Sequence, residues 1–308
     1  MHLPGIVRRL LRRPASPPAV GAVAAEFWDK QMARQSVYWT AYPQVREYVN
    51  ELITGVGWLW PLIVLKAGWA FRPLPRVISI GCGTGSMERE LRNVNAATKV
   101  IGYDVSKASI REARRLARRE KLSGISYRVR DCNQLRLPAN RYDGAFFHAS
   151  LHHISDPDQL LEETSRSLKP HGMVYVDDYV GPSRDEWNDD HLKHARALFD
   201  LVPEEVKIVP INPPFDYTDP SEMIRSSRTL PALRERFEIL HYRPYWGNVL
   251  FPILCAVDGV MFQQPKYAPV LTQLIEAERE LVARGELTDP MFAIVVARKK
   301  VSAGASAV

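Results

Sequence analysis

The sequence predicts a doubly wound α/β sheet, and three observations predict it. Short β-branched runs alternate with helix-patterned stretches from Arg76 to about residue 180, the pattern of parallel strands joined by right-handed crossovers. The first three runs end on glycines or an aspartate, at Gly81, Asp104 and Asp131. Two later runs, 237–245 and 292–298, read as strands that pair antiparallel at one sheet edge. Together they give seven strands, mostly parallel, with an antiparallel C-terminal hairpin.

Taken in order, residues 77–80 form a strand that runs into Gly81-Cys82-Gly83-Thr84-Gly85. A helix follows over 86–93, and a second strand over 100–103 ends at Asp104. Ser106 caps a helix whose apolar positions Ile110, Ala113 and Ala117 recur at helical spacing. Ser123-Gly124 stops it. A third strand, 125–129, ends at Asp131-Cys132, and a fourth spans 144–147. Ser155 and Asp158 form a capping box for a helix that runs to Leu168 and is ended by Pro170 and Gly172. A fifth strand, 173–176, leads into Asp177, Asp178 and Tyr179. After Pro182 the alternation stops. Residues 183–235 read as helical and irregular, broken by the proline-rich stretch 210–220, and an amphipathic helix spans 270–284.

This gives a disordered basic tail over 1–25, a Trp- and Tyr-rich helical lid over 26–71, and a main domain over 72–300. Helical segments over about 183–235 and 247–290 are inserted into that domain and are expected to shape a ligand pocket. Residues 301–308 form a second disordered tail. No internal repeat is visible.

A chain of 308 residues is long enough for one large domain or two small ones. Its 46% hydrophobic and 25% charged content are those of a soluble globular protein. Cys82, Cys132 and Cys255 are far apart and form no CxxC pair, so neither a disulfide framework nor a structural zinc site is expected. The basic N-terminus lacks a following apolar core, so it does not read as a secretory signal, and a cytoplasmic location is expected. The net charge of +6 concentrates in 8–13 and 111–121. Neither run is interleaved with aromatics, which argues against single-strand nucleic-acid binding. The apolar stretches 58–71 and 249–262 are too short or too broken to span a bilayer. They could pack in the core, wall an apolar pocket, support a homodimer or rest on a membrane surface.

The glycine turn has two readings, a tight turn with only a packing role or a turn that lets a ligand reach the main chain. Asp104 stands 23 positions after Gly81, near the spacing of a ribose-binding acid. A carboxylate there accepts from both ribose hydroxyls. Ser86 stands where the dinucleotide fingerprint needs a third-position glycine, so a pyrophosphate is not the expected ligand.

With GxGxG, an acid ending each of the next two strands, YDGAFFHASLHHI and LLEETSRSLKPHGMVYVDDY, the chain resembles the class I S-adenosylmethionine-dependent methyltransferases, which have a Rossmann-like fold. The resemblance covers roughly 76–180 and is nearest the broad type 11/12-like group that acts on small molecules. It implies S-adenosylmethionine as cofactor and S-adenosylhomocysteine as product. It also implies that Gly81, Gly83 and Gly85 line the methionine part with Cys82 beside them. Asp104 would hold the ribose, Val105 would pack on adenine and Asp131 would read the adenine amino group beside Cys132. His148 would face the sulfonium. Many members carry an acid two residues before the first glycine, where this chain has Ser79.

The reaction expected is methyl transfer to a small-molecule or glycan-type hydroxyl. His152 and His153, just after the fourth strand, are the expected proton acceptors, with Asp178 next. Trp39, Tyr42 and Arg46 are expected to touch the cofactor from the lid. Two rival readings remain, a nucleic-acid methyltransferase and a non-catalytic cofactor-binding module. The four residues Asn212-Pro213-Pro214-Phe215 spell an Asn-Pro-Pro-Tyr/Phe motif but lie far downstream of the sheet. His191 and His194 beside Asp189 and Asp190 read as an exposed helix face rather than a metal site.

Overall fold

The computed structural model describes residues 20–31, 38–56 and 72–300. A seven-stranded sheet has the order β3-β2-β1-β4-β5-β7-β6. Its strands are β1 Leu74–Ile80, β2 Ala97–Asp104, β3 Ile125–Val129, β4 Tyr142–His148, β5 Leu168–Tyr179, β6 Phe237–Trp246 and β7 Phe292–Lys299. The first five are parallel, and β7 runs antiparallel between β5 and β6. The chain starts at β1, moves outward to β3, then returns to β4 on the other side of β1. That reversal places the carboxyl ends of β1 and β4 side by side, where open α/β sheets bind ligands.

The sheet is buried on both faces, which is why its central strands read as continuous apolar runs. Along β1 and β5, successive side chains enter opposite cores. Val77 and Tyr175 join one core with Tyr48, Leu254 and Leu274, while Ile78 and Val176 join the other with Leu161 and Leu233. The first face is covered by α2 (Pro43–Thr54), α3 (Ser86–Asn93), α8 (Leu250–Cys255) and α10 (Ala268–Ala283). The second is covered by α5 (Pro157–Ser167) and α7 (Thr229–Arg236). Helix α4 (Lys107–Arg119) packs Ile110, Ala113 and Ala117 onto Tyr127 of β3, with Ser106 accepting from the Ser109 N–H as its cap.

Helix α1 (Val20–Gln31) begins inside the stretch read as a disordered tail, because Ala22, Ala24 and Ala25 favour helix over coil. Residues 1–19, the apolar stretch 57–71 and the tail 301–308 lie outside the described residues. The cap of α5 is Asp156, which accepts from the Gln159 N–H, whereas the Ser155 hydroxyl donates to Asn133. The helix ends at Ser167 and β5 starts at once. Pro170 and Gly172 then sit in a local bulge, where Tyr142 pairs Leu168 but Gly144 pairs Met173. Residues 249–262 fold into α8 and α9 (Gly259–Phe262) and bury Leu250, Phe251, Ile253 and Leu254 in the core. Core packing therefore accounts for most of that stretch. Among the described residues no helix is long and apolar enough to cross a membrane.

Candidate active site

The turn after β1 is main-chain architecture. Gly81, Gly83 and Gly85 all have positive φ, +71°, +50° and +79°, a region that costs L-residues with side chains about 1–2 kcal/mol. Each glycine meets a different neighbour. A Cβ on Gly81 would lie 2.4 Å from Ser150 Cβ, and one on Gly85 would lie 2.4 Å from the Tyr127 hydroxyl oxygen. A Cβ on Gly83 would meet nothing within 4 Å. Gly85 is thus a packing glycine, Gly81 admits the turn after β4, and Gly83 presents bare backbone to open space.

That space is a cleft at the carboxyl ends of the parallel strands. Gly81, Gly83, Asp104, Val105, Asp131 and Cys132 line it, as expected, together with Asn133, Ser150, His153 and Trp28. Asp104 is fixed from below: Oδ2 accepts the Gly83 N–H at 2.8 Å and Oδ1 accepts the Ser106 N–H at 2.8 Å. Burial raises its pKa, and those two N–H groups work against the rise. Asp131 accepts the Asn133 N–H at 2.9 Å. Burial pushes the Cys132 thiol up to about 12, so it is no nucleophile. Cys82 turns away from the cleft toward Gly102. The acid absent at Ser79 has a counterpart on α3, where fully buried Glu88 lies against Ser79. Burial pushes its carboxyl up to about 7.

The turn after β4 divides the cleft from a second cavity. Ala149, at φ +48°, lines both. The second cavity is lined by Tyr38, Thr40, Arg46, Val49, His148, Asp177, Asp178 and Tyr245, which set several polar groups into a mainly apolar wall. His148 Nε2 stands 3.4 Å from Asp177 Oδ2, and the Tyr245 hydroxyl donates to Asp177 Oδ1 at 2.8 Å. Burial pushes Asp177 up to about 6, against the opposing charge of His148.

Asp177 and Asp178 project to opposite faces of β5, as neighbours on a strand must. Asp178 Oδ2 accepts the N–H groups of Ser150 and Leu151, and Oδ1 accepts from Tyr179 and faces His152 Nδ1 at 2.5 Å. Burial opposes charge on His152, but Asp178 overcomes it and lifts the imidazole to about 9. Burial and the charge of His152 lower His153 instead.

Several expected site residues therefore fall elsewhere. His152 is buried against Asp178 and does not line the cleft; Asp178 holds the β4 turn and is also one of the residues that line the second cavity. His148 lines the second cavity and not the first. Tyr42 is wholly buried against Phe262, because its place at the start of α2 turns it into the core. Trp39 likewise stacks on Tyr245 in the core. Arg46 faces the second cavity. His191 caps α6 (Asp189–Leu198) by receiving the Asn188 N–H. Sequence reasoning missed Trp28, Asn133 and Ser150; for the last two the visible signal was their place just after strand ends.

Residues 78–176 match the family model described as a methyltransferase domain. The chain is 31% identical over 169 residues to an uncharacterized 37.1 kDa protein in transposon TN4556 of Streptomyces fradiae, covering 54% of this chain and 48% of that protein. It thus spans about half the length of that relative. It is 29% identical to the methyltransferase GfsG of Streptomyces halstedii, over 64% of this chain and 72% of that one. Its fold is similar to that of geranyl diphosphate C-methyltransferase from Streptomyces coelicolor A3(2), with a TM-score of 0.55, 15% identity, and coverage of 94% of this chain and all of the other. The methyltransferase domain uses S-adenosylmethionine. The glycine turn, the acids at or just after the ends of β2 and β3, and the matched segment that contains them lead to one conclusion: residues 78–176 form a methyltransferase domain, consistent with the class I S-adenosylmethionine-dependent methyltransferases of the type 11 group.

Proposed function

We propose that the protein transfers a methyl group from S-adenosylmethionine to a hydroxyl of a small-molecule or sugar-type acceptor. One observation carries the reading. The cleft lined by Asp104 and Asp131 and a second cavity that presents Thr40, Arg46, His148 and Asp177 meet at one residue, Ala149.

The cleft fits the cofactor by its donor set. Asp104 offers carboxylate oxygen to ribose hydroxyls. Asp131 and the Asn133 amide offer polar contacts to an adenine edge, between the apolar Val105 and Ile154. Gly83 leaves room where any side chain would intrude. When bound, S-adenosylmethionine supplies a methyl group on a sulfonium whose departure leaves a neutral thioether, so no acid is required. The enzyme's share is alignment, which can lower a barrier by about 7–11 kcal/mol.

A hydroxyl acceptor must lose a proton, and the group assigned to take it is His148. It lines the acceptor cavity beside Ala149, and Asp177, anchored by Tyr245, orients it and stabilises the imidazolium that forms. His152, His153 and Asp178 do not take this role. His152 is sealed by Asp178, the oxygens of Asp178 are taken by Ser150, Leu151, Tyr179 and His152, and His153 lines the cleft on the other side of the turn. Arg46, Thr40 and Tyr38 are assigned to hold the acceptor.

A nucleic-acid acceptor is disfavoured because the basic helix α4 spends part of its charge internally. Arg115 pairs with Glu112, and Arg114 donates to the Tyr127 carbonyl. Transfer of labelled methyl from S-adenosylmethionine into fractionated extract of the source cells tests the proposal. Label in the small-molecule or polysaccharide fraction supports it. Nuclease-sensitive label, or none despite tight cofactor binding, overturns it.

A further inference from the structure

Two adjacent histidines with no place in the proposed reaction face two acids from a distant loop. His152 and His153 close the turn Leu151–His153 after β4, and Asp219 and Glu222 come from the turn that follows Thr218. His152 Nε2 lies 3.6 Å from Glu222 Oε1. His153 Nδ1 lies 3.8 Å from Glu222 Oε2 and 3.7 Å from Asp219 Oδ2. One ligand atom from each of His152, His153 and Glu222 can be chosen so that all lie within 4.8 Å of one another. The Ser221 hydroxyl, 3.3 Å from His153 Nδ1, donates to Asp219 Oδ1 at 2.7 Å.

The separations are longer than hydrogen bonds and close to what an ion imposes. Tetrahedral bonds of about 2.0–2.1 Å set neighbouring ligand atoms roughly 3.3–3.4 Å apart. The gaps of 3.6 Å between His152 and Glu222, 3.8 Å between His153 and Glu222 and 3.7 Å between His153 and Asp219 exceed that by a few tenths of an ångström.

A second, independent feature points the same way. Asp219 is 0% exposed, and its Oδ2, the atom facing His153, has no hydrogen-bond partner among the described residues. A buried carboxylate oxygen left bare is costly, and native proteins rarely leave one so. The charge balance agrees. Asp219 and Glu222 have no Lys or Arg partner among the described residues. A divalent cation would cancel those two charges. The second layer is also in place, since Asp178 fixes His152 through Nδ1 and leaves Nε2 free to ligate, the carboxylate–histidine–metal arrangement.

We propose that His152 Nε2, His153 Nδ1, Glu222 and Asp219 bind one divalent cation of the zinc class. Two imidazoles and two carboxylates favour such a borderline ion over calcium or magnesium, which take oxygen ligands. The ion would tie the loop around 219–222 to the turn after β4. Because His153 and Ser221 also line the cofactor cleft, it would brace one wall of that cleft. Binding of the ion does not depend on the methyl-transfer reading.

Chelator-treated full-length protein, titrated with Zn²⁺ in competition with a chromophoric indicator, tests the site. A parallel sample receives Co²⁺ and is read by visible absorption. One zinc per chain at submicromolar Kd is expected, with intense cobalt bands of a four-coordinate site. Glu222→Gln and Asp219→Asn should each weaken zinc at least tenfold. Glu222 is partly exposed, so its variant should keep the fold; a melting curve and S-adenosylhomocysteine binding check this on the same sample. Absence of stoichiometric zinc, or zinc retained unchanged by both variants as cysteine thiols would hold it, overturns the proposal. Zinc bound without S-adenosylhomocysteine binding would instead count against the cofactor reading and leave the metal site standing.

Discussion

The two walls that meet at Ala149 are built by different means. The cofactor wall is mostly backbone and short side chains: three glycines at positive φ, main-chain N–H groups on Asp104, and strand ends delivered in sequence order. The acceptor wall is long side chains from unrelated segments: Tyr38 and Arg46 from before the sheet, His148 and Asp177 from its middle, Tyr245 from its edge. A ligand common to a family can be held by backbone geometry, which a local motif encodes. A ligand particular to one protein needs side chains gathered by tertiary packing, which no local motif encodes.

The strongest way to break that contrast is through the glycines. Gly81→Val puts a branched side chain where even a Cβ lies 2.4 Å from Ser150, at φ +71°. Strain and overpacking together should cost about 3–5 kcal/mol and abolish S-adenosylhomocysteine binding, read by chemical denaturation and calorimetry. A variant that melts and binds like the parent would show that the turn is not built as described.

On the acceptor wall, His148→Gln should lower kcat by about 10²–10⁴ while S-adenosylhomocysteine affinity stays within a few-fold, since His148 does not line the cofactor cleft. Equal losses in both would place it on the cofactor wall.

Glu88 sharpens the comparison from beneath the glycine turn. Its folded pKa, raised to about 7 by burial, exceeds its unfolded value, so the folded state holds the proton more tightly. Stability should therefore fall as pH rises from about 4.5 to 7 and stay reduced above that. Glu88→Gln removes the penalty. It should stabilise the protein at pH 8 by about 3 kcal/mol and change little at pH 4.5, read by urea denaturation at the two values. An unchanged or lowered stability at pH 8 would mean that the carboxylate has partners in the folded state.

The smallest stability effect is expected at Gly83. Alanine there meets no atom within 4 Å, so only the φ cost of about 1 kcal/mol applies. Its methyl group projects into the cleft, so cofactor affinity should drop at least tenfold, in contrast to its mild effect on melting.

The same contrast explains how much was legible in the sequence. The strand–glycine and strand–aspartate junctions at Gly81, Asp104 and Asp131 are short-range signals, and the structure brings all three to one cleft. The antiparallel strands near 237 and 292 were legible from alternation, and the structure pairs them. Tyr42 and His152 were misread because aromatic and imidazole side chains serve a core as readily as a site, and only packing decides between them. Asp219 and Glu222 were invisible as partners of His152 and His153 because nearly 70 residues separate them. Asp156 displaced Ser155 as the cap because Asn133 takes the Ser155 hydroxyl, a contact that no local pattern reveals.

The central claim is that the cleft beside the glycine turn holds S-adenosylmethionine through Asp104. Calorimetric titration of S-adenosylhomocysteine into the wild-type protein and Asp104→Ala, with Asp104→Asn as an isosteric companion, tests it most directly. The account predicts micromolar binding to the wild type and at least a tenfold loss in both variants, at melting temperatures that show them folded. Equal affinity in wild type and both variants would contradict it.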